Sequence, residues 1–465
     1  MDTQRTPRFT YQKVHRYLSH WLDARPSGQA HRLPSLREVA QQLQVSLSSC
    51  KQGFALLESQ GRIQARPKVG YFSVAQAPTS PLPPTASLLD RVYASARQPG
   101  MLALSSDAPA MLGALDGPLL MLERELLRRS PPADLPPYQP LGEPELRAAL
   151  ARDYSQGSPE PWQADQVFIG PDLRCVFDIA LQALIPAGSV ALVESPCSWL
   201  ILGRLRAAGL QVFEAPLDGE GRMDLDAVAR MLDTTPVRVA VLSSRVNTPQ
   251  GSAMPAADKR RLCELLARHR VWLFENDSYG GLCPNLPSYR EHADPEQLLV
   301  FASFDKSIGA EAPFAYLLCR SATATLAEAF FARGLRLPSY RQRAIAGLYG
   351  SGRIDRQRTL LGKQLAASAA RMAVLLKQHA DDCLQGSLPQ AGAAFWLRAT
   401  RPVDMDAVCE SLLAEGIVIA PGSLFSQAGH WRDHLRLSVT VDWRQDIEGA
   451  LVRLAQAVRQ APQLP

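Results

Sequence analysis

The sequence predicts a large α/β domain preceded by a small helix-rich unit that ends in a β-hairpin, and three observations lead there. From about Leu88 onward, amphipathic helical stretches alternate with short apolar runs, the pattern of a sheet with helices on both faces. Between Ala75 and Ser87 the chain reads AQAPTSPLPPTAS, whose four prolines fit neither a helix interior nor a central strand, so this stretch is an extended linker. Charge divides at the same place. Residues 1–76 hold eleven Lys/Arg against four Asp/Glu, a net +7, which leaves −2 for the remainder of a chain that totals +5. The predicted division is therefore 1–75, a linker over 76–87, and 88–465.

Composition excludes other classes. Across 465 residues, 46% hydrophobic content supplies sizeable cores, and 20% charged residues with no apolar run of bilayer length argue against both disorder and a membrane span. The first residues, MDTQRTPRFTYQKVHRYL, contain no apolar secretory core, so the expected location is cytoplasmic. Eight scattered cysteines lack CxxC pairs and histidines at zinc spacing; they are expected to pack as small hydrophobes, with no metal site.

In the first unit, Tyr11, Val14, Leu18 and Leu22 recur at helical spacing until Pro26–Gly28 stops the helix. Ser35 and Glu38 form a capping box for a second helix through Leu36, Val39, Ala40 and Leu43. Ser46 caps a third through Phe54, Leu57 and Glu58, ending at Gly61. Residues 62–74 then alternate apolar and polar around a turn at Pro67–Gly70, the pattern of a two-stranded wing. Helix, helix-turn-helix and wing is the order of a winged helix, whose third helix fits the major groove of double-stranded DNA.

The stretch RLPSLREVAQQLQVSLSSCKQGFALLESQGRIQARPKVGYFSV resembles the GntR-type winged helix. The resemblance implies DNA contacts from Arg32, Ser35 and Arg37, from Ser46, Ser48, Ser49 and Lys51 at the start of the recognition helix, and from Lys68 and Gly70 at the wing tip. Leu47, Ser49 and Cys50 depart from the family's usual residues, and Leu47 is suited to a thymine methyl rather than a polar base edge.

In the second part the apolar runs are Gln166–Ile169, Ser189–Val193, Val237–Leu242, Val271–Phe274 and Leu298–Ala302. Residues beyond the carboxyl ends of such strands tend to be functional, which draws attention to 194–199, 243–251, 275–279 and 303–306. The motifs YQPLGEPELRAALARDY, PAGSVALVESPCSW, NTPQGSAMPAADKRRL, FENDSYGGL, SFDKSIG, GIVIAPGSLFS and LRLSV resemble, in their order, the fold-type I aminotransferases fused to a GntR winged helix, the MocR subfamily. This implies a mixed sheet with helices on both faces and a smaller C-terminal α+β subdomain. It also implies a homodimer.

By the same resemblance Lys306 stands where the family binds pyridoxal phosphate covalently, Tyr279 would face the cofactor's phenolic oxygen, and Ser303 would touch its phosphate. Tyr138 would reach the neighbouring subunit's phosphate site, and Arg436 would clamp a ligand carboxylate. Other positions have changed. Asn276 replaces the pyridine-contacting aspartate, and Asp277 next to it is expected to face the other side of the strand. Gly170-Pro171-Asp172-Leu173 replaces a phosphate-binding turn, Asp305 a serine and Pro313 an arginine. Ser198 replaces the ring-stacking aromatic, with Trp199 beside it, and Thr248-Pro249 stands for an Asn-Pro pair. A lost charge-assisted contact costs about 1.5–3 kcal/mol, and added carboxylates repel a dianion. Lys306 is expected to pair with Asp305 or Asp172 instead.

The expectation is a DNA-binding transcription regulator with an aminotransferase-like effector domain that lacks transaminase activity, does not depend on pyridoxal phosphate and answers to an unidentified small molecule. Two alternatives stand beside it: a regulator that senses pyridoxal phosphate through Lys306, and an active aminotransferase.

Overall fold

The computed structural model describes residues 10–23, 30–59, 62–66, 69–74, 83, 85–98, 100–129, 138–158 and 160–464. Contacts divide the chain into two units, Met1–Ala86 and Ser87–Pro465. The expected helix stops at Pro26–Gly28 and Gly61, the wing-tip Lys68, and linker residues 75–82 and 84 lie outside the described residues.

The first unit holds helices Thr10–Asp23, Leu36–Leu43 and Leu47–Ser59, then an antiparallel hairpin of Ile63–Arg66 and Gly70–Ser73. Ser35 caps the second helix as a complete box: its hydroxyl accepts from the Glu38 N–H at 3.3 Å, and the Glu38 carboxylate accepts from the Ser35 N–H at 2.6 Å. Ser46 accepts from the Ser49 N–H at 3.1 Å ahead of the third helix. Gly53 has a packing reason. A Cβ there would lie 2.7 Å from a Val14 methyl, so only glycine lets the first and third helices approach this closely. Val14, Leu18, Leu33, Val39, Cys50, Phe54, Leu57 and Ile63 form the core, and Tyr71 brings the hairpin onto Phe54 at 4.8 Å between ring centres.

The second unit is built on a seven-stranded sheet in the spatial order Val167–Gly170, Ala315–Cys319, Leu298–Ser303, Trp272–Asn276, Val237–Ser243, Val190–Ser195, Gln211–Pro216. Ala315–Cys319 runs antiparallel to both neighbours and the rest are parallel, so the sheet is mixed. Alternate residues feed opposite layers. Leu192, Ala240, Leu242, Leu273 and Val300 face one core, and Ala191, Val193, Val239, Val241 and Phe274 the other.

Five of these strands contain the expected apolar runs; Gln211–Pro216 and Ala315–Cys319 were not expected. The first is a partly exposed edge that carries Glu214 and Pro216, and the second lacks the preceding crossover helix that marks a parallel strand.

A 27-residue helix, Arg353–His379, leads into a C-terminal subdomain. There a four-stranded antiparallel sheet of Leu384–Gln385, Ala394–Ala399, His434–Ser438 and Ala420–Pro421 packs with helices Met405–Ala414 and Ile447–Gln460. Leu102–Ala103 pairs in parallel with Ile417–Val418, and Ser438 donates its N–H to the Leu104 carbonyl at 2.8 Å. These bonds carry residues 104–108 to the carboxyl ends of the large sheet's strands.

Candidate functional site

Parallel strands end together, and at that edge the second unit has a cavity of about 750 Å³ lined by Asn276, Tyr279, Ser303, Asp305, Lys306 and Arg436, with Asp107 among them. Lys306 lies one turn beyond the buried strand Leu298–Ser303, which leaves its side chain 16% exposed. Its Nζ stands 3.3 Å from Asp107 Oδ2 and 3.8 Å from Asp305 Oδ2, and it donates a hydrogen bond to the Asp107 carbonyl. The Tyr279 hydroxyl donates to Asp107 Oδ1. Arg436 approaches the same carboxylate at 4.0 Å and donates to the Ser105 carbonyl.

Electrostatics follow the geometry. Burial works against the Asp107 carboxylate, but Lys306, Arg436 and the Tyr279 hydroxyl overcome it and hold its pKa below the ordinary value. Burial also works against the Lys306 ammonium, and Asp107 with Asp305 outweighs it, so that pKa is raised. Burial and the Asp107 charge push the Tyr279 phenol up.

The expected partners of Lys306 are corrected in part. Asp172 is committed elsewhere: as N-cap of helix Leu173–Leu184 it accepts from the Cys175 N–H at 2.8 Å. Asp305 is near, but Asp107 is the closer and hydrogen-bonded partner.

Asn276 lines this cavity, and its side-chain oxygen accepts from the Ser278 hydroxyl at 2.8 Å and the Ser278 N–H at 3.2 Å. Asp277 faces the opposite side of the strand. It accepts from the Tyr154 hydroxyl at 2.8 Å and pairs with Arg290 at 3.0 Å, beside a separate cavity of about 1160 Å³.

Trp199 carries the Arg436 guanidinium on its face, 4.5 Å from the ring centre, and stacks on Phe425 at 4.9 Å. Ser198, Thr248 and Pro313 also line the cavity. Tyr138 does not. It is exposed on its own chain, with the Arg336 guanidinium 5.8 Å from its ring centre.

In the first unit Arg32, Ser35, Arg37, Ser46, Ser48, Lys51 and Gly70 are exposed, and Ser49 is half-buried. The hydroxyls of Ser35 and Ser46 already serve as helix caps. A Cβ on Gly70 would stand 3.7 Å from Arg32 Nε, which places Arg32 beside the start of the second wing strand.

A lysine just past a central strand of a mixed seven-stranded sheet, faced by a tyrosine and an arginine from the C-terminal subdomain, defines a fold-type I aminotransferase-like domain. Comparisons agree with that class: the aminotransferase class I and II family matches residues 131–454. Two Escherichia coli K12 proteins described as uncharacterised HTH-type transcriptional regulators align almost end to end. YjiR is 25% identical over 97% of this chain and 99% of its own length, and YdcR is 27% identical over 92% and 94%. Among solved structures, LysN, the α-aminoadipate aminotransferase of Thermus thermophilus, superposes with a TM-score of 0.71 at 22% identity, covering 81% of this chain and 95% of that one. The chain belongs to the aminotransferase class I and II family, and its similarity to HTH-type regulators, among them the probable regulatory protein MocR of Rhizobium meliloti, agrees with the MocR-type resemblance.

Asp107 is the site residue that sequence reasoning missed. It sits in LSSDAP, which has no motif of its own, and it lies 199 residues before Lys306. The signal was the short strand Leu102–Ala103 just upstream, too brief to recognise without its partner Ile417–Val418.

Proposed function

We propose that this chain is a DNA-binding transcription regulator whose aminotransferase-like domain neither transaminates nor uses pyridoxal phosphate. Residues 1–75 form a winged helix, 76–87 a linker, and 88–465 an effector and dimerisation domain that responds to a small molecule. The relatives aligned over the full length are named as HTH-type regulators, and the exposed basic residues of the first unit suit a phosphate backbone. A cytoplasmic homodimer reading paired half-sites completes the proposal.

The observation that carries the loss of cofactor is the donor set around Lys306. A bound pyridoxal phosphate supplies an aldehyde for imine exchange and a pyridinium that accepts electrons. It needs an anion at the ring nitrogen and a cluster of donors for a dianionic phosphate. Asn276 offers no charge at the first place, and its oxygen is engaged by Ser278. At the second, Pro171 has no N–H, the Asp172 carboxylate covers the helix N-terminus, and Asp305 adds a further negative charge with Pro313 nearby. These residues do not fit the group.

The test is to mix wild type and Lys306→Ala with pyridoxal phosphate, record absorbance, and weigh the borohydride-treated protein. The expected result is no lysine-dependent band or adduct. A lysine-dependent adduct would return the protein to the regulators that sense this cofactor, and amino-group transfer in a coupled assay would make it an enzyme. For the DNA half, Lys51→Ala should weaken binding to any duplex and lower the salt slope of the affinity by about 1, as expected for one lost phosphate contact. An unchanged slope would remove Lys51 from the interface.

A further inference from the structure

Three donors converge on one carboxylate that belongs to the chain itself. Strand pairing of Leu102–Ala103 with Ile417–Val418, the Leu104 N–H donated to the Val418 carbonyl at 2.8 Å, and the Ser438 N–H donated to the Leu104 carbonyl pin this segment at the cavity. Three residues on, Asp107 Oδ1 takes the Tyr279 hydroxyl while Oδ2 faces Lys306 at 3.3 Å and Arg436 at 4.0 Å. Lys306 also donates to the Asp107 backbone carbonyl. Arg436 is only 5% exposed, packs against the stacked rings of Trp199 and Phe425, and keeps a buried Nε with no hydrogen-bond partner among the described residues. An arginine presents its donors as a fork, and a carboxylate docked squarely on it would take two of them. Asp107, tethered by its own strand, stays 4.0 Å from the guanidinium, beyond hydrogen-bond distance.

We propose that Asp107 is a built-in occupant of this pocket, a tethered carboxylate standing where a small free carboxylate would sit and holding Lys306 as an ammonium unable to condense with an aldehyde. A free monocarboxylate of the amino-acid or 2-oxo-acid class gains entry only by displacing Asp107, and on doing so reaches the spare Arg436 Nε. Such a displacement frees residues 105–108 from the pocket, which gives a bound acid a route to the strand at Leu102–Ala103. The charged and titratable groups facing Lys306 are Asp107, Asp305, Arg436 and Tyr279, and the raised Lys306 pKa agrees with the lock.

The test uses the full chain and pyridoxal, which has the aldehyde but no phosphate, so its outcome is independent of whether the phosphate pocket is competent. A neutral lysine Nζ attacks the aldehyde carbon, water leaves to give the C=N bond, and borohydride delivers a hydride to carbon with a solvent proton to nitrogen. The secondary amine is then read by peptide mass. Asp107→Asn and Asp107→Ala should label Lys306 about tenfold faster than wild type. Asp107→Glu, which keeps a carboxylate, should stay near wild type, and the signal should vanish in Asp107→Ala/Lys306→Ala. Added propionate should slow labelling of Asp107→Ala by taking the vacated place. A rise confined to Lys306, with the buried Lys259 unlabelled, supports the proposal. Equal labelling of wild type and both neutral variants, a rise shared by Lys306 and Lys259, or no protection by propionate overturns it.

Discussion

Two lysines of the second unit sit in low-dielectric surroundings and have been treated in opposite ways. Lys259, 1% exposed on helix Ala256–Arg268, donates to the carbonyls of Ser244 and Pro287 and rests over the Tyr289 ring at 4.5 Å. Its hydrogen-bond partners are dipoles. Burial pulls its pKa down to about 8, although Glu275 and Glu194 act to raise it. Lys306, at the edge of the cavity, has a carboxylate within ion-pair distance, and its pKa is raised. The fold thus seals away the lysine closer to losing its proton near neutral pH and holds charged the one that faces the cavity. A lysine's place in a motif says where it stands; its reactivity belongs to what stands opposite.

Stability gives the largest contrast. Lys259→Ala removes the donor for one buried and one half-buried carbonyl and a buried cation that acts on Glu194, and it should cost about 3–5 kcal/mol in chemical denaturation. Lys306→Ala leaves Asp107 with Tyr279 and Arg436 still in place, and should cost about 1 kcal/mol. Equal losses would break the comparison, because both lysines would then be structural to the same degree.

The pH dependence separates the two regions next. Burial pushes Glu194 up to about 7, opposed by the Ser243 N–H it accepts at 2.9 Å. Its folded form keeps a proton that the unfolded chain releases near the ordinary value of 4.5, so this group's contribution to stability falls as pH rises from about 4.5 to about 7. Lys259 works in another window. The folded chain gives up its proton near 8 while the unfolded chain holds it to 10.5, so stability rises with pH across that interval. Each effect is on the order of 3 kcal/mol at its limit. Lys306 has the reverse sign: its raised pKa contributes stability below the ordinary lysine value that is lost as pH climbs past the folded value. Denaturation of Glu194→Gln between pH 5 and 7 should show a flatter profile than wild type, and an unchanged slope would assign the titration to another group.

Much of this architecture was legible in the chain. Capping boxes and apolar periodicity are local, so the helices starting after Ser35 and Ser46, the hairpin, and five strands of the large sheet could be read directly. So could the placement of Lys306, Tyr279, Asn276 and Ser303 at strand ends, because parallel strands bring their carboxyl termini to one edge. The strands Gln211–Pro216 and Ala315–Cys319 could not, since one is a polar edge and the other an antiparallel insertion. Asp107 was illegible for a stronger reason. An ion pair between residues 107 and 306 is set by how the Leu102–Ala103 strand docks on the C-terminal subdomain, and no local pattern encodes that docking. Asp172 shows the converse error: it looked free to reach Lys306 because the sequence does not tell which cap a carboxylate will serve.

The smallest effect is the sharpest test of which aspartate governs Lys306. Asp305 is next in sequence and was one of the two expected partners, yet its carboxylate is 3.8 Å away with a side chain 47% exposed, and no hydrogen bond joins the two among the described contacts. Water screens such a pair, and exposed pairs contribute about 0–1 kcal/mol. Asp305→Asn should therefore leave stability within about 0.5 kcal/mol and raise pyridoxal labelling of Lys306 by no more than about twofold. If Asp305→Asn unlocked Lys306 as fully as Asp107→Asn, distance and desolvation would have been the wrong measures. The lock would then lie in the negative field at the cavity mouth, to which Asp172 and Asp305 both contribute, and a bound ligand would be selected for positive charge instead of for a carboxylate.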